Sequence, residues 1–361
     1  MITGHGGNVK QLAHIIGCPV EDIIDMSSNL NPLGPPEMIE TALARSLERI
    51  RSLPEPDALS MRQGFASYHG IDVNNVAAGN GTTWFIHTIP MALGSERVLI
   101  AGPCYSDYQD ACIAHRILYK YCFAVAADRF MPDIDTISEM AEQADTVFIC
   151  NPNNPTGTLL ARSQLVYLLK RHRDTVFIID ESYLPFVDNA DDISLISLME
   201  YDNLVVLSSM SKIFTIPGLR TGFLSGAGCI MKKINAFSQP WSVNALAQSV
   251  IEHVFDHPEN IEPFYKKTRK YIKKEKQKFF ESLAGVSSIE LTDSCTCFIL
   301  AALTGDIKAD RLCSDIGRSK ILIRNCSNFA GLSDSYVRFS LKDRQTNEVL
   351  AMKIKESMEN D

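Results

Sequence analysis

The chain has 361 residues, 45% hydrophobic and 22% charged, with a formal charge of −8 and a pI near 5.6. Such a length buries a sizeable core and points to two or at most three domains. The acidic balance argues against nucleic acid or an anionic membrane as partner, since both call for a broad basic surface, and no stretch approaches membrane-spanning length.

Near the start, residues 15–20 are an apolar run too short for a secretory leader and are followed by Glu21 and Asp22, so a cytoplasmic protein is expected. A helix is predicted at about residues 43–50, with no room before the following core for an appended DNA-binding unit. Residues 98–101, 146–150, 176–180 and 204–208 read as strands apolar on both faces, with helices such as 160–173 between them. That alternation predicts an α/β architecture with a mostly parallel sheet covered by helices.

Beyond about residue 240 the pattern turns to long helices. In residues 262–283, Tyr265, Thr268, Ile272, Phe279 and Leu283 fall near one face. Lys266, Lys267, Lys270, Lys273, Lys274, Lys276 and Lys278 make the remainder a solvated surface rather than a nucleic-acid patch. Residues 297–303, 321–323 and 336–341 read as strands, and helices begin near Lys308 and Thr346, so a smaller α+β domain closes the chain. The expected division is an N-terminal segment (1–30) that contributes to the active site, a large cofactor-binding domain (31–240), a connecting helix region (241–265) and a small C-terminal domain (266–361).

Ten cysteines without C-x-x-C pairs predict reduced thiols and no metal site. Cys295 and Cys297, one residue apart, would share a face if they lie on a strand, and a core role is expected of them.

Polar and turn-forming residues follow several of the strands: Gly102-Pro103, Asn151-Pro152-Asn153-Asn154-Pro155 and Glu181-Ser182. Ligands of open α/β sheets collect at such carboxyl ends. An ordered set of residues lies there. Gly79-Asn80-Gly81-Thr82-Thr83 opens a helix, Tyr105 follows a strand, and Asn154, Asp180, Tyr183, Ser209, Ser211, Lys212 and Arg220 come after it.

In order and spacing this set resembles the fold-type I pyridoxal-5′-phosphate (PLP) enzymes over nearly the whole chain. The resemblance implies an aspartate-aminotransferase-like fold, with a large domain around a mostly parallel sheet and a small C-terminal α+β domain. It also implies PLP held by Lys212 as a Schiff base. A carboxylate such as Asp180 would keep the pyridine nitrogen protonated. Asn154 and Tyr183 would bond the phenolic oxygen, and Tyr105 would stack on the ring. The phosphate would take N–H groups of Gly81 and Thr82 at a helix start, the hydroxyls of Thr83, Ser209 and Ser211, and the guanidinium of Arg220. Partial burial of Lys212 near Arg220 would lower its pKa and free the amine for covalent attachment.

Four segments narrow the resemblance: His5-Gly6-Gly7-Asn8, Ser27-Ser28-Asn29-Leu30-Asn31-Pro32-Leu33-Gly34, Pro240-Trp241-Ser242-Val243-Asn244, and Ile321-Leu322-Ile323-Arg324-Asn325-Cys326. They are similar to the L-threonine-O-3-phosphate decarboxylases of cobalamin biosynthesis, relatives of the histidinol-phosphate aminotransferases. The implied substrate contacts are His5, Gly6, Asn29 and Asn154. Arg324, just after a strand, and Arg338, inside the last one, are the cations for a carboxylate and a phosphate. A buried structural ion pair is the alternative for Arg338.

The implied reaction is decarboxylation of L-threonine O-3-phosphate to (R)-1-amino-2-propanol O-2-phosphate for the cobalamin (cobamide) side chain. Decarboxylation of L-serine O-phosphate to ethanolamine phosphate and a histidinol-phosphate-type amino transfer are the alternatives. The Cα bond that stands perpendicular to the cofactor plane decides between carbon dioxide loss and amino transfer, and the residues alone do not set that angle. A homodimer with active sites at the subunit interface is implied as well. Two positions depart from the family pattern: Leu53-Pro54 replaces a common Tyr-Pro, and Trp84 stands where an acidic residue is common.

Overall fold

Strands with no polar face must lie between two helix layers. In the computed structural model, which describes residues 6–359, the central sheet has seven strands, of which the edge strand Leu118–Phe123 is largely exposed. They are β1 (Val76–Asn80), β2 (Arg97–Gly102), β3 (Leu118–Phe123), β4 (Thr146–Cys150), β5 (Val176–Asp180), β6 (Leu204–Ser209) and β7 (Thr221–Gly226). Their order in space is β1-β7-β6-β5-β4-β2-β3. β7 alone is inverted, pairing antiparallel with both β1 and β6.

The alternation of side chains across the sheet is visible in its two cores. Ile100, Phe148, Ile178, Val205 and Leu207 face one apolar layer with Phe85 and Ile89, whereas Leu99, Val147, Ile149, Phe177 and Val206 face the other with Leu165 and Leu168. The register then levels the strand ends. Cys150 lies opposite Asp180, Asp180 opposite Leu207, and Ser209 opposite Gly222. The segments that follow β4, β5 and β6 therefore emerge side by side.

The second sheet is antiparallel, in the order β10-β11-β9-β8, from β8 (Ile289–Leu291), β9 (Phe298–Leu303), β10 (Arg324–Asn325) and β11 (Tyr336–Ser340). The helix Ile261–Leu283 packs against the last helix, Arg344–Glu359. Its buried stripe holds the five residues read from the sequence, together with Ile261 and Glu275. Glu275 is tolerated there because Arg344 bonds it at 2.9 Å. The lysines of this helix are exposed, except Lys276, which is partly buried and bonds the carbonyl of Ser294. Ile24–Asp25 pairs in parallel with Ile321–Leu322, which docks the N-terminal segment on the C-terminal region.

Several boundaries differ from expectation. The early helix runs over Glu37–Ser46 and gives way to a 3-10 turn at Leu47–Arg51. Pro36 sits at its N-cap and Glu37 and Glu40 fill its first turn, so it starts earlier than the apolar pattern alone suggests. The helix Ile261–Leu283 is continuous through residue 265, so a domain edge between 265 and 266 falls inside one element. Cys295 and Cys297 precede β9 instead of lying on it. Ser294 Oγ accepts the N–H of Thr296 at 3.1 Å, and Thr296 Oγ1 accepts that of Phe298 at 3.4 Å, local bonds that compete with strand pairing. Cys297 is fully buried and Cys295 only partly. Arg324 follows the short strand Ile321–Leu322, as read from the sequence, and is itself the first residue of β10. Among the described residues, no helix is long and apolar enough to cross a membrane.

Candidate active site

Asp180 ends β5 and is buried at 4% exposure. Tyr108 Oη donates to its Oδ2 at 2.8 Å, and the N–H of Ser182 donates to its Oδ1 at 2.9 Å. Burial pushes this carboxyl up, against the pull of Ser182, Tyr108 and the charge of Lys212. No cation lies within ion-pair distance of Asp180 among the described residues. Tyr108 is itself held by stacking on Phe148, with ring centroids 4.9 Å apart. The sequence signal for it was slight, a second tyrosine one helical turn after Tyr105.

Lys212 lies on the one-turn helix Met210–Ile213 that follows β6. Burial lowers its pKa, and the nearby charges of Arg338 and Arg220 lower it further. The segment is clamped by Asn31, whose role the sequence did not disclose. The N–H of Asn31 donates to the carbonyl of Lys212 at 3.1 Å, and its Nδ2 donates both to the carbonyl of Ile213 and to Thr268 Oγ1 at 2.9 Å.

All eleven residues expected to meet the cofactor line one cavity of about 130 Å³, together with Tyr108, Cys150 and Ser182. Gly81 caps the helix Thr82–Leu93 with φ +79°, a conformation that favours glycine. A Cβ there would lie 2.7 Å from Arg220 Nη2, and one on Gly222 would lie 2.6 Å from the backbone nitrogen of Thr82. Two glycines thus let the helix start, β7 and the Arg220 guanidinium converge on one point, a site made for an anion. Arg220 is held in the left-handed region at φ +54°.

The small domain meets this cavity through Asn154, which Arg338 bonds. Arg324 and Arg338 are register partners across β10 and β11, and both are buried. Arg338 donates to Asn154 Oδ1 and to the carbonyl of Ser27 at 2.8 Å, and its guanidinium lies 5.4 Å from the ring centroid of Phe298. Its Nε has no partner, and no carboxylate lies within ion-pair distance among the described residues, so the structural ion pair is not what holds it. Arg324 donates to the carbonyl of Asn325 and to Asn328 Oδ1, both at 2.6 Å, over the ring of Phe329. Burial lowers its pKa to about 10, and the charge of Arg338 acts in the same direction.

Asn29 lies behind Tyr183, to which it donates at 3.1 Å, and its oxygen accepts from Ser340 at 3.0 Å. Both of its polar groups are thereby engaged within the protein. His5 lies outside the described residues. Gly6 is pressed against the carbonyl of Ser27, where a Cβ would come within 2.6 Å, and the N–H of Gly7 donates to Ser27 Oγ at 2.7 Å. Gly6, Ser27 and Arg324 also border a larger cavity, of about 820 Å³, beneath the helix Val9–Ile16.

Of the two departures, Trp84 packs on Phe85 and over Gly79 and does not line the cofactor cavity. Leu53 is 76% exposed.

These residues fit PLP. A buried carboxylate without a cation awaits a protonated ring nitrogen, an amine of lowered pKa lies in the same cavity, and the glycine-lined cradle with Arg220 suits a phosphate. Comparison with known proteins agrees. Residues 21–354 match the family model for aminotransferase class I and II. The adenosylcobalamin biosynthesis bifunctional protein CobDQ of Leptospira interrogans is 31% identical over 95% of this chain, which spans only 40% of that relative's length. The threonine-phosphate decarboxylase of Salmonella typhimurium is 28% identical, over 96% of this chain and 94% of that one. Among solved structures, the L-threonine-O-3-phosphate decarboxylase of Porphyromonas gingivalis superposes with a TM-score of 0.82 at 30% identity, covering 92% and 99% of the two chains. Histidinol-phosphate aminotransferases match as well. The chain belongs to the aminotransferase class I and II family, as a PLP-dependent enzyme of the group that holds the threonine-phosphate decarboxylases and the histidinol-phosphate aminotransferases.

Proposed function

We propose that the protein decarboxylates L-threonine O-3-phosphate to (R)-1-amino-2-propanol O-2-phosphate, a building block of the cobalamin side chain. The observation that carries this reading is the pair of buried arginines, Arg324 and Arg338, facing one another across β10 and β11 beside the cofactor cavity. A substrate with one carboxylate and one phosphate supplies two anions for two guanidinium groups. Arg338, in contact with Asn154, takes the carboxylate at the reacting carbon. Arg324, on the wall of the larger cavity, takes the phosphate, with Gly6 on the same wall.

Bound PLP supplies an electron sink for the pair left when a bond at Cα breaks. Asp180 holds the proton on the pyridine nitrogen, assisted by the Tyr108 hydroxyl. Asn154 gives its oxygen to Arg338, which leaves its Nδ2 to donate toward the phenolic oxygen alongside Tyr183. Tyr105 covers the ring. Thr82, Thr83, Ser209, Ser211 and Arg220 hold the phosphate. Lys212 would hold the cofactor covalently, and its amine, of lowered pKa and in the same cavity, would be the group that returns a proton to Cα of the substrate. Relatives at 28% to 31% identity that are named as threonine-phosphate decarboxylases or as a cobalamin-biosynthesis protein favour decarboxylation over amino transfer.

A cytoplasmic homodimer belongs to the same proposal. Leu47, Ile50, Leu53 and Trp241 are exposed large apolar residues suited to a subunit interface. The deciding experiment supplies purified holoenzyme with O-phospho-L-threonine, with O-phospho-L-serine, and with histidinol phosphate plus 2-oxoglutarate. Carbon dioxide release from the first, faster than from the second, is expected. Amino transfer to 2-oxoglutarate with no gas from either phosphoamino acid would overturn the proposal.

A further inference from the structure

A short chain of hydrogen bonds joins the small domain to the cofactor cavity. Ser340, the last residue of β11, is fully buried, and its Oγ donates to Asn29 Oδ1 at 3.0 Å. Asn29 Nδ2 in turn donates to Tyr183 Oη at 3.1 Å. The chemistry of each group sets the direction. An amide oxygen only accepts and an amide nitrogen only donates, so the oxygen committed to Ser340 turns the nitrogen toward Tyr183. The Tyr183 hydroxyl accepts that bond, and its own single proton is left for another acceptor.

Tyr183 lines the cofactor cavity. A hydroxyl that accepts one hydrogen bond is polarised into a better donor of its own. The other ionisable groups around Tyr183 include Arg338, Cys297, Cys150 and Tyr105, whose hydroxyl is engaged with Asp107 and Thr83. Burial pushes both thiols up, Cys297 to about 12, so both stay neutral, and Arg338 has no lone pair to offer.

We propose that Ser340 is a positioning residue. By fixing the Asn29 amide it directs the Tyr183 hydroxyl proton into the cavity, where Tyr183 donates to the phenolic oxygen of the bound cofactor. The inference rests on the reading of Tyr183 as the neighbour of that oxygen. Without the Ser340 hydroxyl, the Asn29 amide is free to rotate and offer its oxygen, and the Tyr183 proton turns toward it. The phenolic oxygen then loses a donor and becomes more basic, and the proton it shares with the Lys212 nitrogen is held more tightly.

The test is a pH titration of the visible absorption of the holoenzyme. Ser340→Ala is expected to raise the midpoint by roughly half to one pH unit, the worth of one hydrogen bond. In a Tyr183→Phe background the same substitution adds nothing, because there is no proton left to direct. Asn29→Asp keeps the shape of the side chain but accepts where the amide donated, so it also raises the midpoint, and it serves as the test if Ser340→Ala does not fold. An unmoved midpoint in the folded variants would overturn the proposal. So would an equal shift from Ser340→Ala with and without the Tyr183 hydroxyl. Failure of the cofactor assignment looks different: the visible band would then persist in Lys212→Ala, whatever the midpoint does in Ser340→Ala.

Discussion

At the carboxyl ends of β4, β5 and β6, Asn154, Asp180 and Lys212 hang from three adjacent parallel strands whose ends the register levels. Next to that cavity, Arg338, Arg324 and Asn29 come from the small domain and the N-terminal segment, Arg338 touching Asn154 and Asn29 touching Tyr183, and bonds that join them to each other's neighbours span up to 311 residues of chain. The first wall is built by local sequence on a rigid scaffold. The second exists only once two domains and a terminal segment have met. One wall should therefore govern the cofactor and the other the substrate, and substitutions can separate them.

The largest effect is expected from Lys212→Ala. Removing the amine takes away both the covalent attachment and the proton carrier at Cα, so turnover falls by about 10³-fold or more. The visible absorption of the lysine-bound cofactor should vanish with it, read by spectroscopic titration with PLP. A retained band would break the assignment of the cofactor wall.

Arg338→Ala is the matching substitution on the other wall. Removing one partner of a buried charge-assisted contact costs about 3–5 kcal/mol, so kcat/KM for O-phospho-L-threonine should fall by a factor between about 10² and nearly 10⁴. The cofactor band should remain. Loss of bound cofactor instead would mean that the two walls are not separable at Asn154, where Arg338 touches the cofactor side.

How much of each wall was legible in the sequence follows from the same contrast. Apolar runs at 146–150 and 176–180 reproduce β4 and β5 to the residue, and the polar residues just after them are where the chemistry sits. Lys212 and Arg220 were readable because their spacing along the chain is local. Asn31, which clamps the Lys212 segment through Ile213 and Thr268, gave no such signal, since its partners lie 182 and 237 residues away. Ser340 and Tyr108 were silent for the same reason: a hydroxyl in a strand or a helix says nothing about a partner that only folding brings near. Cys295 and Cys297 show the reverse failure, where alternation suggested a strand but serine and threonine side chains bonded the backbone first.

A smaller effect should come from Tyr108→Phe, which sharpens the cofactor wall. The lost hydroxyl bonds a carboxylate that burial already pushes toward its neutral form. A hydrogen bond to a charged group is worth about 1.5–3 kcal/mol. Turnover and PLP affinity should drop by about ten- to a hundredfold with KM for substrate little changed, measured by steady-state kinetics and by PLP release on dilution. A change confined to KM would place Tyr108 with the substrate instead.

The smallest effect on turnover is expected directly beneath that wall. Glu181 follows Asp180 but lines a different, smaller cavity, where its carboxylate accepts from Ser194 Oγ at 2.5 Å and from the N–H of Leu195 at 2.7 Å. Burial raises its pKa to about 7. The folded state then binds more protons than the unfolded one between the ordinary carboxylate range and pH 7. Its contribution is therefore fully present at low pH and is lost as pH rises through about 7. His69, on the same cavity, acts oppositely: burial lowers it to about 4, so its contribution is lost as pH falls from the usual histidine range. Glu181→Gln keeps an acceptor for Leu195 and lets the Ser194 hydroxyl turn to accept, while His69 is common to both proteins and cancels in the difference. Denaturant unfolding should find the variant equal to wild type near pH 5 and more stable by about 2 kcal/mol at pH 8. Turnover should be unchanged at both. A stability difference that does not vary with pH would show that Glu181 titrates as an ordinary carboxylate, and that the cofactor wall does not rest on a protonated foundation.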